Sequence, residues 1–299
     1  MAAYYDPKTY PKQWNFLEPG TIIDQYIIER ELAHGGFSSV YLARQLSNQA
    51  QVAIKEYLPR KFAHRTWNNV IVPNSKDTEA LFLKGRALFF KEAKALAKLK
   101  HLNIVNVINF FQANETVYMV MTYDPGSTLD KVIKNKKSKV TEKQLIKMFN
   151  MLLAGISMMH QKNFLHLDIK PSNILIRPNS TPVLLDFGAT QKFTSVSKSN
   201  HATIITHGFS PIEQYSKNSH LGPWTDIYSI GATMYFCLSG KAPAFDIKKA
   251  ANKTIIPAVK VFNNKYPHNL LHTIDWAMQI DPKKRPQSVE VFKHALLKT

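Results

Sequence analysis

An aspartate and an asparagine five residues apart, with a lysine two residues beyond the aspartate, stand in the run His166-Leu167-Asp168-Ile169-Lys170-Pro171-Ser172-Asn173. A loop of that length aims a carboxylate at an incoming hydroxyl. It also holds an amide oxygen on a metal ion and sets a cation against a group in transfer. Those are the demands of phosphoryl transfer, where positioning and electrostatics supply nearly all the catalysis. Further on, Asp186-Phe187-Gly188 leaves the apolar run Val183-Leu184-Leu185, 18 positions after Asp168. This second carboxylate can reach a Mg²⁺ that Asn173 also holds, because Mg²⁺ takes one or two protein oxygens and completes its octahedron with phosphate and water. Each piece alone also reads as a polar surface turn. Their spacing is what makes them chemistry.

The elements that must position these groups are legible from pattern. Ile27, Ile28 and Leu32 lead into His34-Gly35-Gly36-Phe37-Ser38-Ser39-Val40-Tyr41-Leu42, a strand, a glycine-bearing turn and a second strand. Glycine lets backbone N–H groups approach phosphate oxygens. Gln51-Val52-Ala53-Ile54-Lys55-Glu56-Tyr57 is a short apolar strand that delivers Lys55. Phe89, Phe90, Ala93, Leu96 and Ala97 recur at helical spacing and predict a helix from about Leu81 to Leu99, with Glu92 in its middle. Val117-Tyr118-Met119-Val120-Met121-Thr122-Tyr123 reads as a strand stopped by Asp124-Pro125-Gly126. Thr141-Glu142-Lys143-Gln144 fits a capping box that opens a helix with Leu145, Phe149, Leu152 and Ile156 on its apolar face. That helix runs into the 166–173 loop. From Pro223-Trp224-Thr225-Asp226 onward a further helix is apolar nearly all round, as a helix through the centre of a lobe should be.

Together these segments resemble the eukaryotic-like (Hanks-type) Ser/Thr protein kinases, and the lysine strand ending Lys-Glu-Tyr-Leu-Pro resembles a bacterial branch of them. The loop is similar to the family's His-Arg-Asp-Leu-Lys-x-x-Asn, with Leu167 in place of Arg. Gly35 is in register with the glycine loop, whereas Ala33 and Ser38 occupy the first and third glycine positions. Gly208-Phe209-Ser210-Pro211-Ile212-Glu213 resembles the Ala-Pro-Glu close of an activation segment, and Asp281-Pro282-x-x-Arg285-Pro286 the stretch whose arginine pairs with that glutamate. The 37 positions between Lys55 and Glu92 exceed the family's usual spacing and mark an insert at about 57–83.

The resemblance implies an α+β, two-lobed protein kinase fold, an antiparallel-sheet small lobe and a mainly helical large lobe with ATP between them. It places an extension at 1–20 and the kinase domain at 21–299. The small lobe runs to about 122, the hinge covers 122–126, and the large lobe occupies about 127–299. Asp168 would be the catalytic base and Lys170 the cation on the moving phosphoryl group, while Lys55, paired with Glu92, anchors the α- and β-phosphates. Leu32, Gly35, Gly36, Val40, Ala53, Met121, Thr122, Asp124 and Leu175 would contact the nucleotide. Asn173 and Asp186 would hold Mg²⁺, with Mn²⁺ as an alternative. Thr206 sits where Ser/Thr kinases bridge the loop and the acceptor platform, so protein Ser and Thr hydroxyls are the expected acceptors. Two other classes stay open: a pseudokinase that signals by docking, and a small-molecule phosphotransferase. Intact Lys55, Asp168, Asn173 and Asp186 argue against the first, and the segment closing on Glu213 against the second.

Bulk properties bound these readings. The 299 residues, 44% of them hydrophobic, suffice for two lobes with real cores. One cysteine, Cys237, leaves no internal disulfide and suits a reducing cytoplasm, bacterial or host. No apolar run reaches the roughly 18 to 20 residues of a membrane helix. The formal charge of +18 includes seven lysines at 131–147, where an acidic substrate or an anionic surface could be steered. No motif of a nucleic-acid-binding fold accompanies them, so no specific nucleic acid is expected.

Overall fold

The computed structural model describes residues 16–135, 140–188, 190–192, 205–216, 219–243 and 255–298. Two compact units emerge: Met1–Lys100 with Val105–Asp124, and His101–Ile104 with Pro125–Thr299. Among the described residues, no helix is long and apolar enough to cross a membrane.

The small unit holds β1 (Ile22–Ile23), β2 (Tyr26–His34), β3 (Ser38–Gln45), β4 (Gln51–Tyr57), β5 (Ala63–Arg65), β6 (Ile71–Pro73), α1 (Lys76–Leu96), β7 (Val107–Ala113) and β8 (Thr116–Thr122). Six strands form one antiparallel sheet in the order β1-β2-β3-β4-β8-β7. Register sorts its side chains. Val40 pairs with Lys55 and Leu42 with Ala53, which in turn pairs with Met121, so these residues share one face. The opposite face carries Tyr41, Ile54, Tyr118 and Val120 into a core that also contains Leu17, Ile23, Tyr26 and Ile28. Phe16 packs against that core. The end of the 1–20 extension is thus part of the small unit's packing, and residues 1–15 lie outside the described residues.

The insert forms a hairpin of β5 and β6, followed by the first turns of α1. The helix begins five residues before the apolar period does, because Ser75 and Thr78 organise its start: Ser75 N–H donates to Thr78 Oγ1 at 3.0 Å. Asp77 and Glu79 then sit in the first turn, where they complement the helix dipole. One buried contact decides how closely α1 can lie on the sheet. A Cβ at Gly85 would fall 2.0 Å from Tyr57 Oη. Tyr57 is held between the rings of Phe82 and Phe89 and donates to the Phe82 carbonyl at 3.3 Å, so it cannot step aside. Gly85→Ala is therefore expected to destabilise the chain, since overpacking costs about 1–3 kcal/mol and the helix-propensity gain offsets only about 1 kcal/mol. Thermal denaturation checks it; a raised midpoint would contradict the packing.

The large unit contains β9 (Ser127–Thr128), α2 (Leu129–Asn135), α3 (Glu142–Gln161), β10 (Phe164–Leu165), β11 (Ile174–Ile176), β12 (Pro182–Leu184), β13 (Gln191–Lys192), α4 (Pro223–Ser239), α5 (Ala258–Phe262), α6 (His268–Ala277) and α7 (Val289–Leu297). Thr141 caps α3 through the reciprocal box its sequence predicts. Helix α4 starts on Pro223, is buried from Thr225 to Leu238, and ends on Gly240 in the left-handed conformation (φ 73°). It packs against α3, α6 and α7. Cys237 lies within it as a buried thiol. The small sheet β12-β11-β9 presents the two chain segments on either side of the 166–173 loop's exit.

Candidate active site

Asp168 is 6% exposed, and both its carboxylate oxygens are engaged. Thr206 Oγ1 donates to Oδ1 at 2.7 Å. Lys170 Nζ lies 2.8 Å from Oδ2 and also donates to Thr206 Oγ1 at 3.1 Å. Asn173 Nδ2 donates to Oδ2 at 2.9 Å and to the Asp168 carbonyl at 2.8 Å. Asp168, Lys170, Asn173 and Thr206 thus form one connected set. Both acceptors facing Asn173 take its amide nitrogen, which turns its amide oxygen away from Asp168.

The loop is held in shape from below. Leu167 has φ 65°, a left-handed conformation that costs a branched side chain about 1–2 kcal/mol. Asp226, at the start of α4, compensates. Its carboxylate accepts Leu167 N–H at 2.8 Å and His166 N–H at 2.9 Å, with His160 Nε2 at 2.8 Å. Gln214 Nε2 donates to the Leu167 carbonyl at 2.8 Å. Burial alone would raise the Asp226 pKa, but the hydrogen bond and charge of His160 and the Leu167 N–H bring it below the usual range. Burial lowers that of His166. His166 Nε2 donates to the Leu185 carbonyl at 3.0 Å and its Nδ1 accepts Asp168 N–H at 3.3 Å, an arrangement that needs the neutral ring. The Leu167 side chain is fully buried beside Leu165 and Leu221, as its apolar character predicts.

Asp186 follows directly. Leu185 N–H donates to the Asn173 carbonyl at 2.8 Å, so the strand that carries Asp186 is tied to the loop that carries Asn173. Asp186 is itself left-handed (φ 52°), its Oδ1 accepts Gly188 N–H at 3.2 Å, and Phe187 packs on the His166 ring at 4.9 Å. An amide oxygen and an exposed carboxylate are hard donors of the kind Mg²⁺ takes. Among the described residues, no three His, Cys, Asp or Glu side chains gather as a metal cluster. The donor set fits an ion that relies on phosphate and water for its remaining ligands.

Downstream, Arg285 Nη1 donates to Glu213 Oε1 at 2.6 Å and Nη2 to Oε2 at 3.1 Å, a bidentate pair that is buried. Thr225 Oγ1 donates to the same Oε1 at 3.2 Å. A groove of about 280 Å³ opens beside the loop, lined by Asp130, Lys170, Pro171, Thr206, Phe209 and Phe236.

In the small unit, Lys55 is buried at the centre of β4, with Nζ 5.8 Å from the Phe89 ring of α1. The side chain of its expected partner, Glu92, lies outside the described residues; its backbone is in α1, three positions beyond Phe89. Val40, Ala53 and Met121 share the Lys55 face, and Leu32 stands at the β2–β3 irregularity. Gly35 and Gly36 form the exposed turn between those strands, Thr122 ends β8 and Asp124 closes the unit. Leu175, partly buried, belongs to β11 of the large unit. The sequence marks Asp226 only by its likeness to the family's Asp-x-x-Ser-x-Gly pattern, with no role attached, and does not mark Gln214. The signal for Asp226 was there, since a carboxylate on a helix buried all round needs donors.

The protein kinase domain model matches residues 26–297. Sperm motility kinase 3A of Mus musculus is 26% identical over 272 residues, 90% of this chain and 49% of its own. Serine/threonine-protein kinase D of Synechocystis is 29% identical over 286 residues, 92% of this chain and 52% of its own. The chain therefore spans about half the length of these curated relatives. The solved structure of PpkA-294 in its apo form superposes with a TM-score of 0.84 at 30% identity, covering 94% of this chain and 99% of that one.

Proposed function

The chain belongs to the protein kinase family and has its two-lobed α+β fold, and from that premise we propose that it transfers the γ-phosphate of ATP to Ser and Thr hydroxyls of proteins. The observation that carries this is the Asp168 set. A hydroxyl already donates to Asp168 Oδ1, from Thr206, and a lysine stands 2.8 Å from the other oxygen. That is the arrangement a base needs to orient an incoming alcohol and take its proton. ATP with Mg²⁺ supplies the phosphoryl group and the charge that neutralises it. Asn173 and Asp186 would hold the metal, and Lys55, with Glu92, would hold the α- and β-phosphates. Lys170 neutralises charge on the group in transfer. Leu32, Gly35, Gly36, Val40, Ala53, Met121, Thr122, Asp124 and Leu175 would contact the nucleotide. The groove beside Thr206 and Phe209 offers the acceptor chain a seat. The lysines Lys131, Lys134, Lys143 and Lys147 are exposed and would favour acidic acceptors, while Lys136, Lys137 and Lys139 lie outside the described residues.

The test is transfer from γ-labelled ATP and Mg²⁺ to a mixture of protein acceptors, followed by phosphoamino-acid analysis. Phosphoserine and phosphothreonine are expected. Dominant phosphotyrosine, or nucleotide binding without transfer, would overturn the reading.

Leu167 adds a prediction about control. An arginine before the catalytic aspartate pairs with a phosphate on the activation segment and orders it through charge-assisted bonds. A buried leucine has no donor to offer, and Glu213–Arg285 already holds the end of the segment. Activity should therefore not need phosphorylation at Thr190, Thr194, Ser195, Ser197, Ser199 or Thr203, of which all but Thr190 lie outside the described residues. Initial rates after phosphatase treatment, and in a variant with Ala at all six, should stay near wild type. A tenfold or so loss with unchanged ATP affinity would mean another cation serves the phosphate.

A further inference from the structure

The insert after β4 touches the glycine turn at every carbonyl. Arg60 Nη1 donates to the Gly35 carbonyl at 2.5 Å, Arg60 N–H to the Gly36 carbonyl at 3.0 Å and Leu58 N–H to the Phe37 carbonyl at 3.0 Å. The Ser38 carbonyl accepts Gly35 N–H at 2.9 Å and lies 3.4 Å from Arg60 Nη1. Arg60 Nη2 reaches one residue further, to Ser39 Oγ at 2.7 Å, and Ser39 is fully buried. The guanidinium also lies 5.2 Å from the Phe16 ring, which itself contacts His34 at 5.3 Å. All of these residues belong to the small unit.

The segment that carries Arg60 is anchored at a buried ion pair. Five residues on, Arg65 forms an ion pair with Glu56 in which both side chains are almost fully buried. Tyr41 Oη and Tyr118 Oη donate to the same carboxylate at 3.0 and 2.7 Å. The insert is thereby fastened to β4 one residue after Lys55.

Trans peptide planes put each C=O opposite the next N–H. Carbonyls of Gly35, Gly36 and Phe37 held toward the insert therefore turn the N–H groups of Gly36, Phe37 and Ser38 away from it. Successive N–H groups on one side make an anion-binding concavity. Two adjacent glycines would otherwise sample many conformations, and ordering them would weaken any ligand they bind. We propose that Arg60 is a positioning residue that locks the glycine turn into this anion-binding conformation and so sets affinity for a nucleoside triphosphate. The identity of the ligand rests on the kinase reading; the clamp itself does not.

The test pairs kinetics with amide exchange of the ligand-free full chain. In Arg60→Ala, KM for ATP is expected to rise about tenfold while kcat falls no more than about threefold. Amides in 35–39 are expected to exchange at least about tenfold faster, with the rest of the small unit unchanged. Arg60→Lys recovers only part, because one ammonium cannot serve the Gly35 carbonyl and Ser39 Oγ as a fork does. Ser39→Ala removes the Arg60 Nη2 contact, together with a hydrogen bond to Tyr41, but leaves the carbonyl contacts of Arg60, and should shift KM in the same direction by less. If Arg60→Ala does not fold, an unchanged KM in both milder variants overturns the proposal. So does wild-type KM and exchange in a folded Arg60→Ala, or a loss confined to kcat. A wild-type chain that neither binds nor turns over ATP would remove ATP as the ligand, yet faster exchange in Arg60→Ala would still establish the clamp.

Discussion

Asp168→Asn should lower phosphoryl transfer at least about a hundredfold, the scale of losing a general base and a preorganised charge, while leaving the fold intact. The contacts explain why the two effects separate. Lys170 Nζ and Asn173 Nδ2 are donors only, so the new amide must present its oxygen to them. Its NH₂ then faces Thr206 Oγ1, a hydroxyl that can rotate from donating to accepting. The oxygen keeps its donors, and the one hydrogen that must find a new acceptor is on the partly exposed Thr206 hydroxyl. What disappears is the negative charge that draws an acceptor proton. Lys55→Met should cost activity on the same scale through lost phosphate anchoring. Initial rates with saturating ATP, read beside thermal midpoints, check both; near-wild-type turnover in either would remove that residue from the site.

Arg285→Ala should destabilise the large unit by about 3–5 kcal/mol, the cost of leaving one member of a buried ion pair alone. Glu213 is 4% exposed and, among the described residues, would keep only Thr225 Oγ1 of its present side-chain donors. The carbonyls of Gln279, Ile280 and Trp224 would also lose their guanidinium donor, now at 2.6, 2.9 and 3.3 Å. Tyr228 would lose the cation that lies 4.8 Å from its ring. Urea unfolding reads the loss directly. The double variant Glu213→Gln with Arg285→Met should lose less than Arg285→Ala alone, because it buries no unpaired charge. A single-variant loss below about 1 kcal/mol would make this pair an ordinary surface bridge.

The family and the order of its motifs were legible in the sequence, because those depend on side-chain identity at fixed separations. Asp168, Lys170 and Asn173 lie within six residues and meet in one network, and Thr206 joins them from 36 positions beyond Lys170. The capping box at Thr141 and the all-round apolar α4 are local in the same sense. How the loop is braced and which groups the insert contacts appear only in the folded chain. Asp226 acts on the N–H groups of His166 and Leu167, Gln214 on the Leu167 carbonyl, and Arg60 on carbonyls of the glycine turn. A backbone group is the same at every residue, so a contact made to it leaves no mark on the residue contacted. The start of α1 was hidden for a related reason: its first turns carry Asp77 and Glu79 in place of the apolar period, and capping rather than burial begins the helix there. Periodicity reports burial, and where an element is held by caps or backbone contacts, only the folded chain reveals it.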